Sequence, residues 1–359
     1  MRAAPAPPSG SGAARGSGAG SDSGVSFAHL FRLSDDGGLF EHARLTEPRP
    51  EHGYCVDDIA RGLVVATREP APPPQLQLLA RFYLDLVVDA QADDGRVHNR
   101  RDLELRWTDE PSLEDCWGRA IWGLGTAAAR LPQGTAEAEL ALARFTVSAV
   151  RRSPHRRAMA FAALGAAEVL TVRPRHRAAR ALLRTATDQL RIDVSGDAGW
   201  PWPEPRLRYA NGCVPEVLLA AGSLLEDRAL LAEGLALLDW LVEVETVETH
   251  LSVTPVGGWT RGEPRPGFDQ QPIEVAALAD ACGRAYELTG ERRWLDTLLR
   301  CRSWFLGHND TGVVLLDMTS GGGCDGLERH GRNENQGAES TMALISTLQR
   351  CASLTAVRS

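Results

Sequence analysis

The segment GYCVDDIARGL, at residues 53–63, has a layout that returns five more times along this chain. A polar or acidic first turn leads into a run of small and aliphatic residues. The other copies are SLEDCWGRAIWGLG (112–125), SPHRRAMAFAALGAA (153–167), GCVPEVLLAAG (212–222), DQQPIEVAALADA (269–281) and NQGAESTMALISTL (335–348). A surface helix carries an apolar stripe with charges opposite it. These segments carry almost no charge beyond their first turns, so the pattern predicts six buried helices.

More charged, amphipathic segments follow five of these six helices. Leu76, Leu79 and Phe82, for example, recur at the three- and four-residue spacing of one helix face. The predicted outer helices span residues 75–92, 136–150, 175–190, 227–243 and 292–305. A helical hairpin repeated in this way predicts an all-α fold, an (α/α)6 barrel, with residues 25–33 supplying the sixth outer helix. An open α-solenoid is the alternative, but its repeats would be more uniform than these long, Trp- and Gly-rich loops allow.

Composition limits the domain organisation and the partners. We expect residues 1–25, rich in Ala, Gly, Ser and Pro, to be a disordered tail, and residues 26–355 to form one catalytic domain. The formal net charge of −8 without a basic stripe argues against nucleic acid as a partner. No apolar run approaches the ~20 residues that cross a bilayer, and no apolar signal segment is present. The sequence therefore predicts a cytoplasmic protein with no membrane partner.

Carboxylates gather at the starts of the predicted inner helices, on five of the six. The helix dipole alone favours acids in a first turn. Their recurrence on successive helices instead favours an acid-lined pocket, and glycoside cleavage needs two carboxyl groups there. Asp58 is the first choice for one of them, with Glu204 or Glu339 as the other. The full set of catalytic candidates is Asp57, Asp58, Asp115, Glu204, Asp269 and Glu339.

The loop GWPWPEPRLRYAN, at residues 199–211, predicts a sugar-binding surface. Trp200 and Trp202 alternate with prolines, which hold the segment extended. Aromatic rings stack on the C–H face of a sugar, while carboxylate and amide groups bind its hydroxyls. Tyr209 and Asn211 follow in the same loop, and Trp117 lies near another helix start. The alternative is that the tryptophans cover the hydrophobic core, since Trp is usually largely buried.

Other helix starts supply further polar candidates. His155, Arg156 and Arg157 begin the third inner helix and would form one cationic wall, able to bind phosphate or a substrate carboxylate. No H-x-x-x-H or H-E-x-x-H pattern occurs, so the sequence predicts neither a metal nor a cofactor. The remaining substrate-binding candidates are Glu216, Gln270, Gln271, Glu274, Asn335 and Gln336.

Six motifs spread over residues 26–355 carry a family resemblance. They lie at residues 29–43 (HLFRLSDDGGLFEHA), 53–63, 112–125, 200–219, 268–281 and 335–348. Together they resemble a family of bacterial proteins that occur alone or fused behind glycosyltransferase domains. That family is similar in layout to the six-hairpin glycosidases, a set of hydrolases, phosphorylases and lyases. The resemblance implies a barrel, a saccharide substrate and a glycosyltransferase as a candidate partner.

These observations favour a glycoside hydrolase that acts on an oligosaccharide through paired carboxylates. A sugar epimerase or isomerase is the alternative on the same barrel, but it needs paired histidines, and His155 is the one candidate here. A phosphorylase would use the Arg156 wall. A non-catalytic glycan-binding module is the alternative of another class. The sugar, its linkage and the stereochemical outcome are not fixed by the sequence.

Overall fold

The computed structural model describes residues 25–191, 199–265 and 267–355, and within these ranges it contains twelve α-helices. In chain order they are α1 (Ala28–Arg32), α2 (Val56–Arg68), α3 (Pro74–Asp89), α4 (Asp115–Arg130), α5 (Ala136–Ser148), α6 (Arg156–Val172), α7 (Arg177–Leu190), α8 (Cys213–Leu224), α9 (Arg228–Val244), α10 (Pro272–Thr289), α11 (Arg292–Phe305) and α12 (Ala338–Thr355). Residues 1–24, and with them nearly all of the predicted tail, lie outside the described ranges.

The even-numbered helices form an inner ring. Each contacts the next one along the chain, and α12 contacts α2, so the ring is closed. The odd-numbered helices lie outside it, each packed against at least one inner helix. This arrangement is the predicted (α/α)6 barrel, and ring closure excludes the open solenoid. The short helix α1 packs against α12 and is the predicted sixth outer element.

Small residues let the inner helices approach closely. A Cβ atom added at Gly125 of α4 would lie 2.2 Å from the carbonyl oxygen of Gly165 on α6. One added at Gly118 would lie 2.3 Å from the carbonyl oxygen of Ala158. Such backbone contacts exclude larger side chains, because protein interiors are already close-packed. The runs of Ala and Gly that mark the inner helices in the sequence are therefore a packing requirement of the ring.

Most predicted helices agree with the structure to within about three residues, the usual uncertainty of helix ends. Five inner helices begin three residues after the predicted start, so the first polar residues of each repeat belong to the preceding loop. The exception is α8, which begins at Cys213, directly after Gly212. A Cβ atom at Gly212 would meet the backbone of Ala277 and Leu278, in the second turn of α10. The start of α8 therefore lies more than one helical turn below the start of α10.

The two faces of the barrel differ in their loops. Inner helices lead to outer ones through short connections at residues 69–73, 131–135, 173–176, 225–227 and 290–291. The returning connections are mostly long, and they reach the N-terminal ends of the inner helices. They carry four antiparallel two-stranded sheets: β1 (Ala43–Arg44) with β2 (Glu47–Pro48), β3 (Tyr54–Cys55) with β4 (Arg100–Arg101), β5 (Thr246–Val247) with β6 (His250–Leu251), and β7 (Gly326–Glu328) with β8 (Gly331–Asn333).

Among the residues that the structure describes, none of the helices combines the length and the apolar character needed to span a lipid bilayer. All seven cysteines are buried and free.

Candidate active site

One arginine joins two carboxylates at the N-terminal end of the inner ring. Asp58 lies in the first turn of α2, and Arg61 lies one turn later on the same face. Arg61 Nη1 donates to Asp58 Oδ1 at 2.5 Å, and Arg61 Nη2 donates to Glu339 Oε2, also at 2.5 Å. Glu339 reaches this guanidinium because α12 closes the ring beside α2. Since both nitrogens belong to one planar group, the two bonded oxygens lie within about 7 Å of each other.

The two carboxyl groups have different surroundings. Asp58 is 2% exposed, whereas the side chain of Glu339 is 36% exposed. Burial raises the pKa of Asp58 to about 7, against the lowering effect of Arg61. The nearby Glu339 carboxylate adds to the rise. A buried acid that is about half protonated near pH 7 next to a more exposed carboxyl group is the arrangement of a general acid with a second catalytic carboxylate.

These groups face a cavity of about 350 Å³, which we call the mouth cavity. It is lined by Glu41, His42, Cys55, Asp57, Asp58, Arg61, Gln271, Asp325, Asn333, Gly337, Glu339 and Ser340. Asp57 is a third acid here. Asn99 Nδ2 donates to its Oδ2 at 3.2 Å, while its Oδ1 is buried without a hydrogen-bond partner in the described residues.

A narrower space, the inner cavity, continues from the mouth cavity into the barrel. Arg61 and Glu339 line both, and the volume of the inner cavity is about 40 Å³. Trp122 and Phe161 form one side of it, with their rings stacked at 5.9 Å. Arg119 lines the same space and is 1% exposed. The sequence-based candidates missed Arg119, although it is the one charged residue between the first and last residues of α4.

Glu204 lies in a separate polar network. Its Oε2 is 2.8 Å from Arg157 Nη1. Arg157 also donates to the Tyr209 carbonyl oxygen at 2.7 Å and to Asn211 Oδ1 at 3.0 Å, and Asn211 Nδ2 donates to Glu274 Oε2 at 3.1 Å. Burial raises the pKa of Glu274 well above its usual value. The network fixes the 199–211 loop to α6 and α10. In the structure, the predicted site residues Glu204, Asn211 and Glu274 therefore hold the loop in position.

The loop tryptophans pack against the outer layer. Trp202 is 4% exposed, and its ring stacks on Trp240 of α9 at 5.9 Å. Trp200 meets Trp240 edge-on at 5.4 Å and donates from Nε1 to the Glu204 carbonyl oxygen. Trp117, on α4, is fully buried. This placement agrees with the core-covering alternative for Trp200 and Trp202, and Trp117 is likewise part of the core. The aromatic side chains that line the inner cavity are instead Trp122 and Phe161.

The predicted amides serve mainly as loop supports. Gln270 is fully buried, and its Oε1 accepts from Trp304 Nε1 at 3.1 Å. Gln336 Nε2 donates to Asp317 Oδ2 at 2.8 Å. Asn335 Oδ1 accepts from the backbone N–H of Leu45 at 2.9 Å. Gln271, directly before α10, is the one predicted amide that lines the mouth cavity.

Several predicted residues do not meet at the mouth. Asp269 and His155 are exposed, and neither lines the mouth cavity or the inner cavity. Arg156 and Asp115 are half-buried and line neither cavity. Burial raises the pKa of Asp115, and Arg119 opposes that rise. The cationic wall expected around His155 therefore does not form part of either cavity.

Glu216 lies deeper than its place in the repeat predicts. Arg284 donates to its Oε1 from Nε at 3.1 Å and from Nη2 at 3.0 Å. It lines the inner cavity and also a cavity of about 280 Å³ at the opposite end of the barrel. The reason is the low start of α8, which lies more than one helical turn below the start of α10 and so carries Glu216 away from the mouth.

One cluster in the described residues has the composition of a metal site. Ligand atoms of Glu41, Cys55 and Asp58 lie within 4.8 Å of one another. Glu41 is paired with Arg100, and Asp58 is paired with Arg61. Burial raises the pKa of the Cys55 thiol well above its usual value, which opposes the thiolate that a metal needs. These donors fit ion pairing better than metal binding.

Histidines are scarce around the two cavities. Among the described residues that line them, His42 is the one histidine, and it is exposed at the rim of the mouth cavity. Its ring meets His52 edge-on at 5.0 Å. The buried part of the site is thus built from carboxylates, arginines and aromatic rings.

Solved structures with the same architecture include sugar-converting enzymes. A sugar epimerase from a ruminal bacterium is similar over 92% of this chain and 96% of its own, with a TM-score of 0.70 and 14% identity. A D-mannose isomerase is similar over 91% of this chain and 95% of its own, with a TM-score of 0.67 and 12% identity. The GH76 α-mannanase of Bacteroides thetaiotaomicron is similar over 92% of this chain and 94% of its own, with a TM-score of 0.63 and 12% identity. The shared fold is the (α/α)6 barrel. At these identities the similarity establishes the fold alone. No family model matches this sequence, and no curated protein is significantly similar to it.

Proposed function

We propose that this protein is a carbohydrate-active enzyme of the glycoside hydrolase type that acts on an oligosaccharide. The observation that carries the proposal is the pairing of buried Asp58 with the more exposed Glu339 through Arg61, at the base of the mouth cavity. A mannanase is among the solved structures with this fold. The sugar ring would occupy the mouth cavity, with its glycosidic oxygen near Asp58.

The two carboxyl groups would divide the chemistry between them. Asp58, with a pKa of about 7, would donate a proton to the departing glycosidic oxygen. Glu339 would then either activate a water molecule or attack the anomeric carbon. Arg61 would hold both groups in place. Retaining enzymes place the carboxyls about 5–5.5 Å apart and inverting ones about 6.5–9.5 Å apart. The upper bound of about 7 Å derived from the Arg61 geometry includes the retaining range and the lower end of the inverting range, and the anomeric form of the product distinguishes the two.

Asp57 is a second candidate for the role of base. Its unpartnered Oδ1 belongs to a residue that lines the mouth cavity, and Asn99 fixes its other oxygen. Replacing Asp57 with asparagine separates the two assignments. A large loss of kcat in D57N with little loss in E339Q would move the role of base from Glu339 to Asp57.

The test is turnover of a panel of oligosaccharides, with and without phosphate, followed by product analysis. D58N and E339Q should each lower kcat by about 10²–10⁴-fold, the usual contribution of general acid–base groups. E114Q is the matched control, because Glu114 is exposed at the start of α4 and lines neither cavity. In the wild type, kcat should fall as the pH rises through about 7, because Asp58 loses its proton there. Normal turnover in both D58N and E339Q would sink the assignment.

Epimerisation or isomerisation is the second candidate, because an epimerase and an isomerase share the fold. It would have to draw on His42 at the rim, since the buried lining offers no histidine in the described residues. Incubation in D2O separates the reactions: an epimerase incorporates deuterium into an intact sugar, whereas a hydrolase releases a new reducing end. Saccharide binding without either change would indicate a glycan-binding module, and a glycosyltransferase would then be the partner to seek.

A further inference from the structure

Arg119 is a buried cation without an anion. It is 1% exposed, and its Nε and Nη2 have no hydrogen-bond partner in the described residues. It forms no ion pair within those residues, whereas Arg61, Arg68 and Arg284 each pair with a buried carboxylate. Burial, together with the repelling charge of Arg61, lowers the pKa of Arg119 to about 10, against the attraction of Asp57, Glu339 and Asp115, none of which bonds to it.

Aromatic contact alone does not satisfy this guanidinium. Its central carbon lies 3.5 Å from the centroid of the Phe161 ring and 6.0 Å from that of Trp122. These contacts attract the cation to a ring face but accept no hydrogen bond in the guanidinium plane. A buried charge is normally paired and hydrogen-bonded, because desolvation without compensation is costly. The inner cavity that Arg119 lines also holds the carboxylates of Glu216, Asp280 and Glu339. Each of them is paired with another arginine, so none is left to neutralise Arg119.

We propose that Arg119 receives the carboxylate of an acidic sugar, so that the substrates are saccharides that contain a uronic acid. The assignment rests on the function proposed above, because it places this sugar at the same site. A planar guanidinium fork matches a carboxylate with two parallel hydrogen bonds. The apolar groups around it, including Cys213 and Met342, would leave that ion pair shielded from water.

The dimensions of the two cavities fit this assignment. The inner cavity measures about 40 Å³. One water molecule needs about 10–15 Å³ on this scale, so the space holds a few water-sized groups and has room for a carboxylate. The sugar ring itself would occupy the 350 Å³ mouth cavity, which shares Arg61 and Glu339 with the inner one.

Isothermal titration calorimetry with the full-length protein tests the proposal. The probes are D-glucuronate and D-galacturonate, each compared with D-glucose and D-galactose, together with glucose 6-phosphate and inorganic phosphate. The wild type should bind the uronates about tenfold or more tightly than the neutral sugars, the gain expected of a charge-assisted pair. R119Q should lose this preference without losing affinity for neutral sugars, and R119K should keep part of it. R130Q is the control on the same helix, because Arg130 is half-exposed and lies at the far end of α4.

Several outcomes would overturn the proposal. They are the absence of any preference for uronates in the wild type, including no binding at all, and an undiminished preference in R119Q. Tighter binding of either phosphate probe than of the uronates would overturn the carboxylate assignment. Failure here is separable from failure of the proposed function. A hydrolase that cleaves neutral and acidic oligosaccharides alike keeps that function and refutes the role of Arg119. A protein that selects uronates through Arg119 without cleaving any sugar does the reverse.

Discussion

Arg61 Nη2 donates a 2.5 Å hydrogen bond to Glu339 Oε2, and this contact joins the first inner helix to the last across 278 positions of sequence. The same guanidinium holds Asp58 on its own helix. The residue that closes the ring electrostatically is thus the one that organises the candidate catalytic pair. Stability and activity are therefore linked at this position.

Replacing Arg61 with glutamine should lower the free energy of unfolding by about 1.5–3 kcal/mol, because the charge-assisted hydrogen bonds to Asp58 and Glu339 are lost. It should also raise the pKa of Asp58, which Arg61 lowers. Urea titration gives the stability. R49Q is the control, since Arg49 forms an exposed pair with Glu51 that contributes about 0–1 kcal/mol. Equal stability of R61Q and R49Q would show that the bridge has no structural role.

The stability of the wild type relative to D58N should fall as the pH rises from about 4 to about 7. Folding raises the pKa of Asp58 from 3.8 to about 7, so the folded state binds the proton more tightly. The resulting stabilisation is complete below the unfolded pKa and is lost as the pH rises through the folded pKa. Three pKa units correspond to about 4 kcal/mol. Denaturant unfolding of both proteins at several pH values measures this difference, and a pH-independent difference contradicts the assigned pKa.

Replacing Trp202 with alanine should lower the free energy of unfolding by about 3–5 kcal/mol, as expected for a large buried side chain. The reason is its packing against Trp240. W107A should cost less, because Trp107 is only half-buried. Thermal or urea unfolding compares the two variants. A stable W202A protein that binds saccharides weakly would instead restore the sugar-stacking role predicted from the sequence.

Gly125→Ala should destabilise the barrel by about 1–3 kcal/mol through overpacking. The added Cβ meets the backbone of Gly165 at 2.2 Å, which cannot move aside as a flexible side chain would. That cost exceeds the helix propensity of about 1 kcal/mol that alanine gains over glycine. Gly123→Ala, on the same helix, should lose less, because its nearest neighbour is 3.2 Å away. Unfolding in urea tests the order of the two variants, and a G125A protein more stable than G123A would refute the close contact.

Helix periodicity predicted the barrel well, because buried and amphipathic helices differ in pattern all along their length. Polar helix starts also pointed to Asp58 and Glu339, which Arg61 brings together. The position of a helix along the barrel axis has no such signal. Glu216 occupies the same place in its repeat as Glu339 does in its own, yet α8 starts low and carries it away from the mouth.

Arg119 is a second feature of the site that the sequence does not predict. A single cation within an apolar helix is visible in the sequence, but its lack of a partner appears only when neighbouring helices are in place. Conversely, Trp200 and Trp202 lie in a loop typical of sugar binding, but both rings pack against Trp240 of the outer helix α9. Both outcomes depend on contacts between residues far apart in the sequence.

Ring closure also constrains how the chain acquires its structure during synthesis. The flank of α2 that meets α12 is made before the other inner helices, and its partner Glu339 follows Arg61 by 278 positions. Until α12 is made, α2 exposes apolar surface, and Arg61 lacks its contact with Glu339. Nascent chains with such surface are prone to aggregation. Completion of the last inner helix should therefore be a cooperative step on which the whole barrel depends, whereas an open array of repeats could settle one hairpin at a time.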